Sequence, residues 1–336
     1  MYFLYGAPLL HYVYFQRNTE VVQIYIKRCS LNDIPNTVRN LPGLQRLTIT
    51  FCQLRYLKLN SFIGVTSLKA LDVSHNKILF ISELPAGSML HIHNLHLGNN
   101  SLGHLNARAL DPFCELSCLV LDNNHLEKIV SPFSLPKLKE LSLNYNRLSS
   151  LDCSDWNMPQ LIFFYCGNNR LSNAPIGWRR SLWQINTLDL SFNRLRTFRM
   201  DDLYLTQVRV LNLVANELQS VTTSQMHLRI PLERLRLARN QLTMLDISRW
   251  GMPKLWELNL EDNRLTELSD LFVRFPSLTS MMILRNNNWS CEWIKRVHLA
   301  DLRQKHYGCL ATNQQCYNAD YYVEQGIRIC CWDVVQ

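Results

Sequence analysis

The sequence predicts a leucine-rich repeat solenoid: a curved horseshoe of about twelve repeats, a parallel β-sheet on its concave face, and a small helical disulfide-bonded C-terminal cap. Three observations predict it. The pattern L-x-x-L-x-L-x-x-N recurs twelve times between Val21 and Asn286, its ninth position advancing by 22 to 24 residues. That is the period of such a repeat, whose turns bury their apolar faces only by stacking. Within each copy the x-L-x-L-x core alternates as a half-buried strand does. Five of the eleven cysteines crowd behind the last copy, where a solenoid must cover the apolar cross-section of its final turn.

The elements follow in order. Residues 1–18 open with MYFLYGAPLLHYVYFQ, which is apolar but lacks a basic flank and is broken by Pro8 and His11. It makes a poor signal peptide. The segment is expected to form a lead-in strand covering the first repeat, with any secretion signal lying ahead of it.

Residues 19–288 form the repeat domain. LKALDVSHNKI (68–78), LKELSLNYNRL (138–148), INTLDLSFNRL (185–195) and LWELNLEDNRL (255–265) are the clearest copies. Positions 1, 4 and 6 point inward, as Leu68, Leu71 and Val73 or Leu138, Leu141 and Leu143. Position 9 is Asn in ten copies: Asn76, Asn100, Asn124, Asn146, Asn169, Asn193, Asn216, Asn240, Asn263 and Asn286. An amide both donates and accepts, so stacked copies can satisfy buried loop backbone in a continuous ladder. The first two copies carry Cys29 and Cys52 there, and a small, poorly hydrated thiol fits the same slot. Cys153 and Cys166 also take core positions; Cys153 replaces Ile247 when LDCSDWNMPQL (151–161) is set against LDISRWGMPKL (245–255). All four are read as buried thiols. Cys114 and Cys118, four residues apart at a strand entrance, are a candidate local disulfide whose geometry decides the matter.

Residues 289–336 form the cap. NNNWSCEWI (286–294) supplies Trp289 to pack on the last turn and leads into a helix expected over 292–304. Cys291, Cys309, Cys316, Cys330 and Cys331 are an odd set, which leaves one sulfur for an intermolecular bridge or a free thiol. Zinc would want CxxC pairs or Cys/His clusters at ligand spacing, and the cap has neither. Secretion is therefore favoured. Two N-x-S/T sequons agree with it, at Asn99 and Asn288. Asn99 should face solvent at position 8, whereas Asn288 sits tight against the cap.

The cap pattern W-x-C (289–291), then Cys316, then YYVEQGIRICC (321–331) resembles that of the mosquito leucine-rich repeat immune proteins. The spacing of Tyr322, Glu324, Gly326, Cys330 and Cys331 is more specific than the repeats, and the resemblance covers essentially the whole chain. It implies a cap held by disulfides of Cys291, Cys316, Cys330 and Cys331. It implies secretion into haemolymph and pairing, as a homo- or heterodimer, with a related leucine-rich repeat chain through a disulfide. It further implies that the pair binds and stabilises complement-like thioester proteins that mark parasites and bacteria. Cys309 is surplus to the pattern and is the candidate intermolecular sulfur. Longer members continue past the double cysteine into a coiled coil, whereas the sequence here ends at Gln336. The lead-in also lacks a cysteine that some members place there.

Other function classes are disfavoured. The net charge of +8 invites a nucleic-acid reading, but no such module appears and aromatics are not interleaved with the basic residues as stacking platforms. No window approaches the roughly 18 consecutive apolar residues of a membrane span. His91, His93 and His96, with His75 and His104 nearby, read as surface histidines, because alternation puts His91 and His93 near a strand entrance and His96 on the exposed face. No Ser-His-Asp ordering, phosphate-binding glycine loop or paired acids stand out, so neither an enzyme, a cofactor nor a metal is expected. What remains is binding. Arg209, Arg234, Arg236 and Arg239 are read as outward strand positions forming a patch for an anion or acidic protein, offset by Glu257, Glu261 and Asp262 on the next turn. Phe163 with Tyr165 makes one aromatic spot and Trp256 another. This mixture suits a polar protein interface. The alternative is a pattern-recognition or receptor ectodomain that binds a microbial or protein ligand directly on its concave face.

Overall fold

The computed structural model describes residues 1–130, 132–283, 285–296, 320–324 and 327–331. It divides into two compact units, Met1–Arg170 with Pro175–Ile185 and Leu171–Ala174 with Asn186–Gln336. Each is a stack of leucine-rich repeat turns that present one short parallel strand apiece.

In the N-terminal unit the strands are Tyr2–Ala7, Gln23–Cys29, Arg46–Thr50, Ala70–Asp72, Asn94–His96, Cys118–Val120, Glu140–Ser142 and Phe163–Tyr165. They pair in that order, all parallel. The register aligns Leu47, Leu71, Leu95, Leu119, Leu141 and Phe164 in one inward row, every member fully buried. A slip of one residue would turn that row to solvent, so the hydrophobic pattern itself fixes the register. In the C-terminal unit Thr187–Asp189, Val210–Asn212, Arg234–Arg236, Glu257–Asn259 and Ser280–Met282 pair likewise. Their inward row is Leu188, Leu211, Leu235, Leu258 and Met281.

Behind each strand the chain turns through the asparagine ladder. Asn100 donates to Leu97 O at 2.9 Å in its own turn and to Val73 O at 3.1 Å in the previous one. Its Oδ1 accepts from Ile78 N at 3.0 Å. Asn216 and Asn240 do the same in the other unit. One amide thus satisfies buried carbonyls in two turns and a buried N–H in one of them. The residue just before the ladder position is left-handed throughout, with φ between 50° and 57° from Arg28 to Asn286. Asparagine takes that conformation readily, but Phe51, Tyr145 and Phe192 do so against preference.

Three expectations are corrected, and a fourth is described only in part. Cys29 and Cys52 are not free thiols but a disulfide. Equivalent ladder positions on neighbouring turns lie one strand spacing apart, here 4.6 Å between Cα atoms, which is within disulfide reach. In the last turn the ladder residue is Asn287, not Asn286: Asn287 donates to Leu260 O and Ile283 O and accepts from Leu265 N. That turn carries one extra residue, and Asn286 takes the left-handed position. Cys114 and Cys118 are unbonded thiols. Between them Leu116 drops into the core, and Cys118 emerges on the strand, where its thiol meets Glu140. Burial, then the charge of Glu140, pushes that thiol up to about 11. The helix spans Cys291–Arg296; the rest of the expected 292–304 segment, with Cys309 and Cys316, lies outside the described residues. Cys153 and Cys166 are buried, and desolvation raises the Cys153 thiol well above its ordinary value.

The last turn is covered by aromatic side chains. Trp289 is fully buried and stacks on Trp293 with centroids 4.2 Å apart. Their indoles donate to Ile283 O and Leu268 O, so neither ring buries an unpaired N–H. Cys291 is bonded to Cys331, on the second strand of an antiparallel hairpin, Asp320–Glu324 with Ile327–Cys331. Cys330 is also disulfide-bonded.

Candidate binding surface

Residues that flank the inward leucines face outward on each unit's sheet. In the N-terminal unit Phe163 and Tyr165 stack with centroids 6.4 Å apart, and Phe163 is 37% exposed. At the other end of that unit Phe3 stacks on Tyr25 at 5.0 Å and on Tyr5 at 5.7 Å. The Lys27 ammonium lies 5.8 Å from the Tyr5 ring centroid. This second aromatic cluster was not singled out in the sequence, because the lead-in strand was set against the first repeat without a residue register. Its alternation with Tyr25 could have revealed it.

In the C-terminal unit the register aligns Val210, Arg234 and Glu257 in one outward row and Asn212, Arg236 and Asn259 in the next. Glu257 is nearly buried and serves two arginines: Arg236 Nε at 2.6 Å and Arg234 Nε at 3.6 Å. Hydrogen bonding to Glu257, set against partial burial, raises the Arg236 guanidinium's pKa, with Asp189 adding a smaller attraction. Arg234 also lies over the Trp256 ring, its Cζ 4.6 Å from the centroid, a cation–π contact. Arg209 reaches Glu233 at 3.3 Å. The anticipated anion patch is therefore compensated: three arginines meet Glu233, Glu257 and Asp189. Arg239 does not belong to that face. It occupies the left-handed position after its strand, φ 57°, and reaches Asp262 at 3.7 Å. Spacing alone had counted it as a strand residue. The structure brings Arg209, Arg234, Arg236 and Trp256 together.

His93 Nδ1 lies 3.0 Å from His91 O before its strand, and His96 is exposed on the outer face. Among the described residues no three His, Cys, Asp or Glu side chains are grouped to hold a metal, and no helix is long and apolar enough to cross a membrane. Asn99 is exposed, its Nδ2 3.5 Å from His75 Nε2. Asn288 is exposed too, but the next two residues are built into the cap: Trp289 is buried, and Ser290 Oγ accepts from Trp293 N.

The leucine rich repeat family model matches residues 206–265. Osteomodulin from Bos taurus is 26% identical over 243 residues, 63% of this chain and 56% of that protein. The chain thus spans little more than half the length of that relative. Among solved structures, the APL1 leucine-rich repeat domain superposes with a TM-score of 0.72 at 21% identity, covering 93% of this chain and 78% of its own. The LRIM1/APL1C complex gives 0.73 at 21% identity, covering 94% of this chain and 55% of its own. These likenesses show the fold. The chain has the leucine-rich repeat fold, and residues 206–265 carry the repeat signature itself.

Proposed function

We propose that the chain is a secreted, non-enzymatic scaffold of mosquito innate immunity. It pairs with a related leucine-rich repeat chain and binds or stabilises a complement-like thioester protein in haemolymph. The reading is carried by the likeness, over 94% of the chain, to a structure in which one repeat protein, LRIM1, is held in complex with another, APL1C. The cap pattern of Trp289, Cys291, Cys330 and Cys331 supports the same assignment. Disulfides at Cys29–Cys52 and Cys291–Cys331 suit an oxidising, extracellular compartment. The open outer faces suit a macromolecule rather than an enclosed small substrate. Cys309 supplies the intermolecular sulfur, and Asn99 is the preferred glycan acceptor.

The test is a pull-down of tagged chain from mosquito haemolymph, run without reductant and read by mass spectrometry. The reading expects a disulfide-linked repeat chain together with a thioester protein. Recovery of monomer alone would overturn it. A Cys309→Ser variant that still runs as a covalent dimer would remove Cys309 from the account.

A further inference from the structure

One arginine on the N-terminal unit's outer face stands apart from those of the C-terminal unit. Arg209, Arg234 and Arg236 each have a carboxylate within 3.6 Å. No described ion pair involves Arg46, although its side chain is exposed on the sheet face. The strand register sets Arg46 beside Ala70, and Ala70 beside Asn94. Ala70 is the smallest outward residue of that row, so the longer side chains around it leave a hollow of about 110 Å³. Arg46, Ala70, Leu71, Asp72, Asn94 and His96 line it. The volume matches one small side chain rather than a metabolite, since ligand pockets run to roughly 300–1,000 Å³.

We propose that this hollow is a docking subsite for a single aspartate or glutamate side chain of a protein partner, gripped by the Arg46 guanidinium. The proposal rests on the binding-scaffold reading and names the chemistry of one contact within it. Guanidinium and carboxylate match as a fork, and the Asn94 amide can add a donor. Asp72 also lines the hollow, its Oδ1 already accepting from Ser74 N at 3.0 Å and Ser74 Oγ at 2.7 Å. Its negative charge opposes any incoming anion, a phosphate dianion about twice as strongly as a carboxylate, so the attraction of the Arg46 guanidinium has to outweigh it. On the neighbouring strand Tyr25, opposite Thr48 and stacked on Phe3, stands two residues along from Arg46's partner Gln23 and offers apolar contact to residues flanking the acid. Arginine beside tyrosine is a composition enriched at interface hot spots.

The test is selection of a phage-displayed library of random twelve-residue peptides on the full chain, on Arg46→Gln and on Ala70→Leu. Arg46→Gln removes the charge. Ala70→Leu fills the hollow without touching a charge, and both lie on the outer face, so unchanged thermal melting certifies the fold. Wild type should retain a pool enriched in Asp or Glu, and each variant should lower its retention about tenfold, the loss expected for one charge-assisted hydrogen bond. Selection of acid-free sequences, equal retention by all three proteins, or no retention by wild type would each overturn the subsite. None of these outcomes bears on pairing in haemolymph, which the pull-down decides separately.

Discussion

The first strand of the repeat array keeps its side chains exposed; the last described repeat turn lies under two tryptophans. Tyr2–Ala7 pairs with Gln23–Cys29 along one edge, and Tyr2, Phe3, Leu4 and Tyr5 remain exposed. The last turn instead lies beneath Trp289 and Trp293, which are buried and hydrogen-bonded. Yet each end has a disulfide close behind it, Cys29–Cys52 at one and Cys291–Cys331 at the other. The turns between rely on asparagine. A terminal turn has a neighbour on one side only, so it shares half the stacking of an internal turn. Covalent links appear where that deficit falls.

The largest effect should come from the C-terminal link. Cys291–Cys331 closes 40 residues, and in the chain-entropy picture its loss costs about 4 kcal/mol. Cys291→Ser should therefore unfold the cap first, read as early hydrogen exchange at Trp289 and Trp293. Cap exchange that matches wild type would show that tryptophan packing alone closes that end. Breaking Cys29–Cys52, which closes 23 residues, should cost about 3 kcal/mol on the same basis. It should free the first two turns while leaving those beyond Asn76 protected.

An internal turn should respond differently. Asn216→Ala removes donors to Leu190 O and Leu213 O and the acceptor for Leu195 N. Orphaned buried groups cost about 1–3 kcal/mol apiece before relaxation, so a net loss of about 2 kcal/mol in urea unfolding is expected. A loss as large as that of the C-terminal disulfide would erase the distinction between ends and middle.

The interior was legible in the sequence because burial and alternation repeat with the turn. Leu47, Leu71, Leu95 and Leu119 needed only the period to be placed. The Cys29–Cys52 bond was equally available, since identical ladder positions on adjacent turns stand one strand apart; reading each cysteine by its own slot hid the pair. Asn287 was missed because spacing does not announce a one-residue insertion. The outer surface was less legible. Arg234 and Arg236 could be placed outward by alternation, but that Glu257 sits between them follows from register, and Arg239 left the face because its turn needs a left-handed residue.

Smaller effects sharpen the surface half of the contrast. Glu257→Gln takes the shared acid from two partly exposed arginines. Discounted for solvent screening, it should cost about 1 kcal/mol, and added salt should shrink the difference. Asp201 gives a pH signature. Burial opposes its ionisation, but hydrogen bonds from Ser224, Thr223 and Gln225 together outweigh it and hold the carboxyl below its usual value. Its contribution is therefore present above the unfolded carboxyl's pKa of about 4 and fades as pH falls through the lower folded value. Protection of the Ser224 amide, the slowing of its exchange relative to an unstructured chain at the same pH, should fall over that acidic window in wild type. In Asp201→Asn it should be low already at neutral pH.

The most direct measurement is the intact mass of the tagged chain purified from mosquito haemolymph, taken with and without reductant. The account predicts a covalent species containing this chain and a second leucine-rich repeat chain, which reductant resolves into the two. A single mass equal to this chain alone in both conditions would contradict it.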